Sequence, residues 1–126
     1  MVRLLLVCAG GALGSGLRWL TVSWAAATWG ASFPRGTLIV NLAGSFLLAV
    51  LMTVALAGRA VSDDVRIFLA AGVLGGFTTY SSFNWETLAL LDDGRPGLAA
   101  LNLVLTMMGR LLMGLAGAYL ARRWVG

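Results

Sequence analysis

Long apolar segments separated by short polar connections dominate the chain. A membrane-spanning helix needs about 20 mostly apolar residues. Four segments meet this requirement, at residues 4–24, 36–57, 65–91 and 97–120. Proline, glycine and charged residues are concentrated in the connections between them. This pattern therefore predicts that residues 1–126 form a single all-α integral membrane domain. It has four transmembrane helices and both termini on the same side of the membrane.

The composition agrees with this pattern. Apolar residues make up 60% of the chain and charged residues 11%, whereas an average soluble domain has about 45–50% and 25%. These values exclude a soluble globular protein and an intrinsically disordered one. The nine basic residues are all arginine and are scattered along the chain, with Arg122 and Arg123 as the one adjacent pair. Such scattering is typical of charges that flank membrane spans, so we expect contact with membrane lipid and no binding of nucleic acid.

Enzymatic chemistry has little support in the sequence. The chain has no histidine and one cysteine, Cys8, so it lacks the commonest proton shuttle and cannot form an internal disulfide. Four of its five carboxylates lie in the turn pairs 63–64 and 92–93. Glu86 has no His, Cys or second acid near it in the sequence. The sequence therefore predicts that the protein is not an enzyme.

The arginine distribution predicts an orientation. Five arginines flank the spans on the side of the termini and two flank them on the opposite side, namely Arg3, Arg59, Arg66, Arg122 and Arg123 against Arg35 and Arg95. The positive-inside rule assigns the side with more arginine to the cytoplasm. We therefore expect cytoplasmic termini.

Small residues crowd the first predicted span. Gly10 and Gly14 are four residues apart, which is the spacing that lets a neighbouring helix backbone approach closely. A phosphate-binding glycine loop would need a preceding strand and a following lysine, and this segment has neither. The glycines therefore predict close helix packing.

The second and third spans contain polar residues at membrane depth. Asn41 lies about one turn inside the second span, where its amide either bonds a neighbouring helix or donates to an anion. The third span has glycine and hydroxyl residues at 75–82 and is longer than a straight crossing requires. It is either an unbroken packing helix or a helix broken around 75–79. In a broken helix, the freed carbonyls must be buried by protein or must coordinate an ion.

Three segments together resemble the signature segments of the CrcB/Fluc fluoride channels. They are GGALGSGLRW at 10–19, PRGTLIVNLAG at 34–44 and GGFTTYSSF at 75–83. The resemblance extends over essentially the whole chain. It implies a fluoride-selective channel subunit of the bacterial inner (plasma) membrane, with a third helix broken near its middle. It further implies an antiparallel (inverted) dimer, through whose narrow pores cytoplasmic fluoride leaves by passive permeation.

The resemblance also implies roles for individual residues. A structural Na⁺ ion at the dimer interface would be held by the backbone carbonyls of Gly75 and Thr78. The implied residues of the fluoride pathway are Arg18, Asn41, Tyr80, Phe83, Asn102, Thr106 and Arg110, the last three being counted from Glu86 and Thr87.

Two residues depart from the family pattern. Tyr80 stands where the family usually has phenylalanine, and its hydroxyl narrows the passage and needs a partner. Arg110 stands where a small hydroxyl residue is expected. An arginine in the middle of a span is costly unless it is paired or reaches water. Arg110 therefore either lines the pathway or pairs with Glu86 away from it.

These departures leave alternatives to a conducting homodimer. The second, inverted subunit is either the same chain or a paired homologue. A dual-topology homodimer would show almost no arginine bias, so the bias of five to two favours a paired homologue. In the latter case this chain is a non-conducting or partly degenerate partner in a heterodimeric fluoride channel. A small multidrug/proton exchanger would need a carboxylate in the first span, and residues 4–24 contain none.

Overall fold

The computed structural model describes residues 1–58 and 61–126, and these residues form helices and short connections. In chain order the elements are α1 (Val2–Trp29), α2 (Arg35–Leu56), α3 (Asp63–Ile67), a π-helix (Phe68–Leu74), α4 (Gly75–Phe77), α5 (Ser81–Asp92) and α6 (Pro96–Val125). Three of them, α1, α2 and α6, are long and apolar enough to cross a membrane. Arg59, which contributes to the predicted orientation, lies outside the described residues.

The third span consists of two half-helices. The first half runs through α3, the π-helix and α4 to Phe77, and α5 forms the second half from Ser81. Between them Thr78 has an extended backbone, with φ −83° and ψ 157°. The predicted break is confirmed, and the unbroken helix is wrong. The helix ends after the glycine pair and not at it. Gly75 still has helical angles of −63° and −40°, and α4 continues to Phe77.

Glycines on both sides allow α1 to pack closely against the first half of the third span. A Cβ atom added to Gly10 would lie 2.9 Å from the Cα of Gly72, and one added to Gly76 would lie 2.6 Å from the Gly11 carbonyl oxygen. A Cβ atom on Gly14 would overlap the carbonyl oxygen of Val73. The small-residue packing predicted from the first span is therefore confirmed.

The helices α2 and α6 run in the same direction and also pack through glycine. A Cβ atom on Gly109 would lie 2.7 Å from the Leu42 side chain, and one on Gly117 would lie 2.5 Å from the Phe46 carbonyl oxygen. Because both contacts are made without a side chain on α6, the two helix backbones approach closely. Polar residues on their facing sides are consequently held within reach of each other.

Arginines near the helix ends bind carboxylates or a backbone carbonyl. Arg3 Nε lies 3.4 Å from Asp64 Oδ1, and Arg66 Nη2 lies 2.9 Å from Asp63 Oδ1. At the opposite end, Arg95 Nη1 donates to the Ser32 carbonyl at 2.9 Å. These groups are exposed, so each contact contributes little to stability. The contact of Arg3 joins the start of α1 to α3, and that of Arg95 joins the start of α6 to the loop before α2.

The glycine packing gives a test of the fold. Gly14→Ala should lower the free energy of unfolding by about 1–3 kcal/mol, because the added methyl group overpacks the contact with Val73. Gly16→Ala is the matched control on the same helix, since a Cβ atom there meets nothing within 4 Å. The control should leave the thermal midpoint of the purified protein in detergent unchanged or slightly raised, because alanine favours helix over glycine. Equal losses in both variants would contradict the close approach.

Candidate functional site

Three polar residues form a row along one side of α2. Thr37, Asn41 and Ser45 are spaced four residues apart, so they lie one above another on one helix face. Thr37 is buried, and Asn41 is completely inaccessible with 0% exposure. Such groups are costly in an apolar environment unless they find partners. This row therefore forms a polar face on an otherwise apolar helix.

A second row with the same spacing lies on α6. Its members are Asn102, Thr106 and Arg110, of which the first two are buried. The rows meet where Arg110 Nε donates to Ser45 Oγ at 3.3 Å. We refer to these six residues, Thr37, Asn41, Ser45, Asn102, Thr106 and Arg110, as the polar ladder.

Asn41 joins the polar ladder to the break in the third span. Its Nδ2 donates to the Thr79 carbonyl at 2.8 Å, and its Oδ1 accepts from the Thr79 amide at 2.9 Å. The side chain thus replaces both hydrogen bonds that the Thr79 backbone loses where the helix stops. Of the two uses expected for Asn41, bonding to a neighbouring span is therefore present, although the partner is the non-helical break in that span. One N–H of its amide group remains beyond these two bonds.

The two carbonyls that the resemblance implies for the sodium ion, those of Gly75 and Thr78, both lie just before Thr79 in the chain. The helical partner of the Gly75 carbonyl is the Thr79 amide, which binds Asn41 instead. Gly75 is also exposed. The Thr78 carbonyl accepts a long hydrogen bond of 3.4 Å from Arg18 Nη1, which leaves its second lone pair. Both oxygens therefore have capacity for a cation, although Arg18 lowers the affinity at Thr78 by charge repulsion.

The two predicted aromatic residues are in contact at the start of α5. The ring centroids of Tyr80 and Phe83 lie 5.6 Å apart, and the rings are inclined by 64°. Phe83 is 1% exposed, whereas Tyr80 is 61% exposed. An edge-to-face pair directs the positive rim of one ring at the face of the other. The structure therefore brings the two residues together, with Phe83 in the core and Tyr80 at the surface.

Glu86 and Thr87 extend the polar ladder onto α5. Thr37 Oγ1 donates to Glu86 Oε1 at 2.6 Å, and Asn102 Nδ2 donates to Thr87 Oγ1 at 2.9 Å. Glu86 Oε2 is buried and has no hydrogen-bond partner among the described residues. Thr37 and Glu86 line a cavity of about 280 Å³ that the loop before α2 also borders. Since Glu86 binds Thr37 and Arg110 binds Ser45, the expected alternative of a pair between Arg110 and Glu86 is wrong.

Four further residues belong to this arrangement that were not predicted as site residues, namely Thr37, Ser45, Glu86 and Thr87. A signal for the first two exists, because polar residues at 37, 41 and 45 recur every four positions in an apolar segment. The contacts of α5 have no such signal, since they depend on how the second half of the third span is placed.

Comparisons with known proteins agree with the three signature segments. A family model described as "CrcB-like protein, Camphor Resistance (CrcB)" matches residues 5–118. A relative from Anaeromyxobacter sp. (strain K), named fluoride-specific ion channel FluC, is 59% identical over 126 residues, which cover all of both chains. A relative of the same name from Thermus thermophilus is 49% identical over 124 residues, which cover 98% of this chain and 94% of the relative.

The family resemblance stated from the sequence is therefore confirmed. The prediction that the protein is not an enzyme is confirmed as well, because the relatives carry the name of an ion channel. With a family model that covers most of its length and relatives that align from end to end, the chain belongs to the CrcB family of membrane channel proteins.

Proposed function

We propose that the chain is a subunit of a fluoride-selective channel, in which fluoride leaves the cytoplasm passively along the polar ladder. The observation that carries this proposal is the row of polar residues on α2, with Thr37 and Asn41 buried and Ser45 half-buried, which meets a second polar row on α6. Burying polar groups inside an apolar helix bundle costs free energy of folding. Ion passage explains that cost, and relatives named fluoride-specific ion channel FluC indicate which ion.

The chemistry of the polar ladder suits fluoride. Fluoride is small and strongly hydrated, so a pore must replace its water with close hydrogen-bond donors. Asn41 has a spare N–H, and the Thr106 hydroxyl is a second donor. The rim of the Phe83 ring offers a partial positive charge to an anion. Such a narrow passage excludes chloride, because the larger ion neither fits nor recovers its hydration free energy.

The exposed polar residues at the break support an inverted dimer. Tyr80, Ser81 and Asn84 are exposed on the isolated chain at about the middle of the third span, where lipid would leave their polar groups without partners. A second subunit in the opposite orientation would bring its own break to the same depth. The polar surfaces would then cover each other. Either the same chain or a paired homologue fits this role.

The break also supports a sodium ion between the two subunits. Gly75 and Thr78 would each supply a backbone carbonyl, and the inverted subunit would supply the same pair. A bound Na⁺ would satisfy freed carbonyls and raise the positive potential near the pathway. It would also offset the cost of backbone groups at this depth.

The arginine asymmetry supports cytoplasmic termini in the bacterial inner membrane. The same asymmetry, together with Arg110, favours one second candidate function. In that case the chain is a topologically fixed partner of a paired homologue, and its own pathway conducts poorly. The two candidates predict different results for the purified chain alone.

Reconstitution of the purified chain into liposomes tests conduction. Fluoride efflux, followed with a fluoride electrode, should exceed chloride efflux by about 100-fold or more, which corresponds to a barrier difference of about 2.7 kcal/mol. Efflux from the chain alone would rule out an obligate partner. No efflux from the native chain, with recovery in Arg110→Ser, would instead support the partner role. No efflux from either protein, or from the chain combined with a paired homologue, would contradict the proposal.

A substitution at Asn41 tests the polar ladder. Asn41→Leu keeps the side-chain size but removes both hydrogen bonds to Thr79 and the spare donor, so fluoride efflux should fall by about 100-fold or more, a loss of about 2.7 kcal/mol. Thr21→Val is the control, because the Thr21 hydroxyl binds the carbonyl of Leu17 in its own helix and no other group in the described part of the chain. The control should keep the native rate. Native efflux from a folded Asn41→Leu protein would exclude Asn41 from the pathway.

A further inference from the structure

Arg110 lies in the middle of α6, at the depth where a charge is most costly. It is 14 residues after Pro96, the first residue of the helix, and therefore about 21 Å along the helix axis. The hydrocarbon core of a bilayer is about 30 Å thick. A charged group in this region requires a partner or water.

Within the described part of the chain, Arg110 has one hydrogen bond, from Nε to Ser45 Oγ. A guanidinium group has five N–H donors, so four of them have no partner among the described residues. The side chain is only half-buried, and its free N–H groups are therefore open to a further ligand.

No carboxylate of the described residues balances this charge. Glu86 is bound to Thr37. Asp63 and Asp64 begin α3, where Arg3 and Arg66 bind them. Asp92 and Asp93 are at the end of α5. The other arginine at membrane depth, Arg18, adds a second positive charge and donates to the Thr78 carbonyl.

We propose that the guanidinium of Arg110 is a resident anion-binding site, and that fluoride is its counter-ion. The proposal rests on the proposed function for the identity of the anion. Ser45 Oγ accepts the Nε–H of Arg110 and keeps its own O–H free. The hydroxyl and the remaining guanidinium N–H groups thus offer several donors, some of them charged, to one small anion. Thr106, one turn earlier on α6, is the adjacent position of the polar ladder.

This site changes what is expected of permeation. A fixed positive charge raises the local fluoride concentration, so the pathway fills at a lower fluoride concentration than one without Arg110. Conduction also requires that the ion leaves, and tighter binding slows release. Arg110 therefore favours occupancy at low fluoride and limits the rate at high fluoride.

Equilibrium binding tests the site without requiring conduction. Potassium fluoride is titrated calorimetrically into the purified protein in detergent at constant sodium concentration, with potassium chloride as the reference anion. The native protein should bind fluoride, and Arg110→Ser should bind it at least about tenfold more weakly, a difference of about 1.4 kcal/mol. Arg110→Lys keeps the charge without the planar group and should lie between the two.

Arg123→Ser is the matched control on the same helix. Arg123 lies at the end of α6, with its guanidinium carbon 5.2 Å from the centroid of the Tyr119 ring. Its removal should leave fluoride binding at the native level. If Arg110→Ser yields no folded protein on size exclusion, Arg110→Lys and the control Arg123→Lys carry the same comparison.

The binding and efflux results separate the two proposals. Fluoride binding that is at least about tenfold weaker in Arg110→Ser supports the site, whether or not the native chain conducts. Absence of fluoride binding in the native protein, or native affinity in Arg110→Ser, would overturn the site even if liposomes show fluoride efflux. Absence of fluoride binding in the native protein would also be expected if a carboxylate of an unlike subunit were the natural partner of Arg110.

Discussion

Every backbone group at membrane depth needs a hydrogen-bond partner, and the structure of this protein depends on how that requirement is met at Thr79. The hydrocarbon core holds no water to bind a freed amide or carbonyl. The third span nevertheless leaves its helix at Thr78. The Asn41 side chain binds both backbone groups of Thr79 and makes this break tolerable. One amide side chain thus connects α2, the break and the polar ladder.

The close packing of the bundle follows from the same requirement. Asn41 reaches Thr79 only if α2 approaches the break closely. Gly44, one turn further along α2, leaves the necessary space, since a Cβ atom there would overlap the Thr78 methyl group. Gly10, Gly14 and Gly76 likewise bring α1 against the first half of the third span. The glycines therefore hold the break in position, because the space without a side chain lets the neighbouring segments pack against each other.

Much of this arrangement is predictable from the sequence, and the unpredictable part has a physical reason. Long apolar segments identify the spans. Glycine and hydroxyl residues at 75–82 make a broken helix one of two possibilities, and the family resemblance implies the break. The sequence does not predict the break at its exact place, because Gly75 is compatible with helix and the departure is set by the partner of Thr79. It also leaves open whether Arg110 lines the pathway or pairs with Glu86. That choice depends on the relative placement of α2, α5 and α6.

Hydrogen exchange at the Thr79 amide in lipid nanodiscs tests the hydrogen bonding between Asn41 and Thr79 most directly. In the native protein this amide should exchange slowly, as an amide hydrogen-bonded inside the bundle does. In Asn41→Ala it should exchange faster by about tenfold, the factor for an opening free energy that is lower by about 1.4 kcal/mol. The amide of Leu74, within the π-helix, should exchange equally slowly in both proteins. Unchanged protection of Thr79 in the variant would contradict the account.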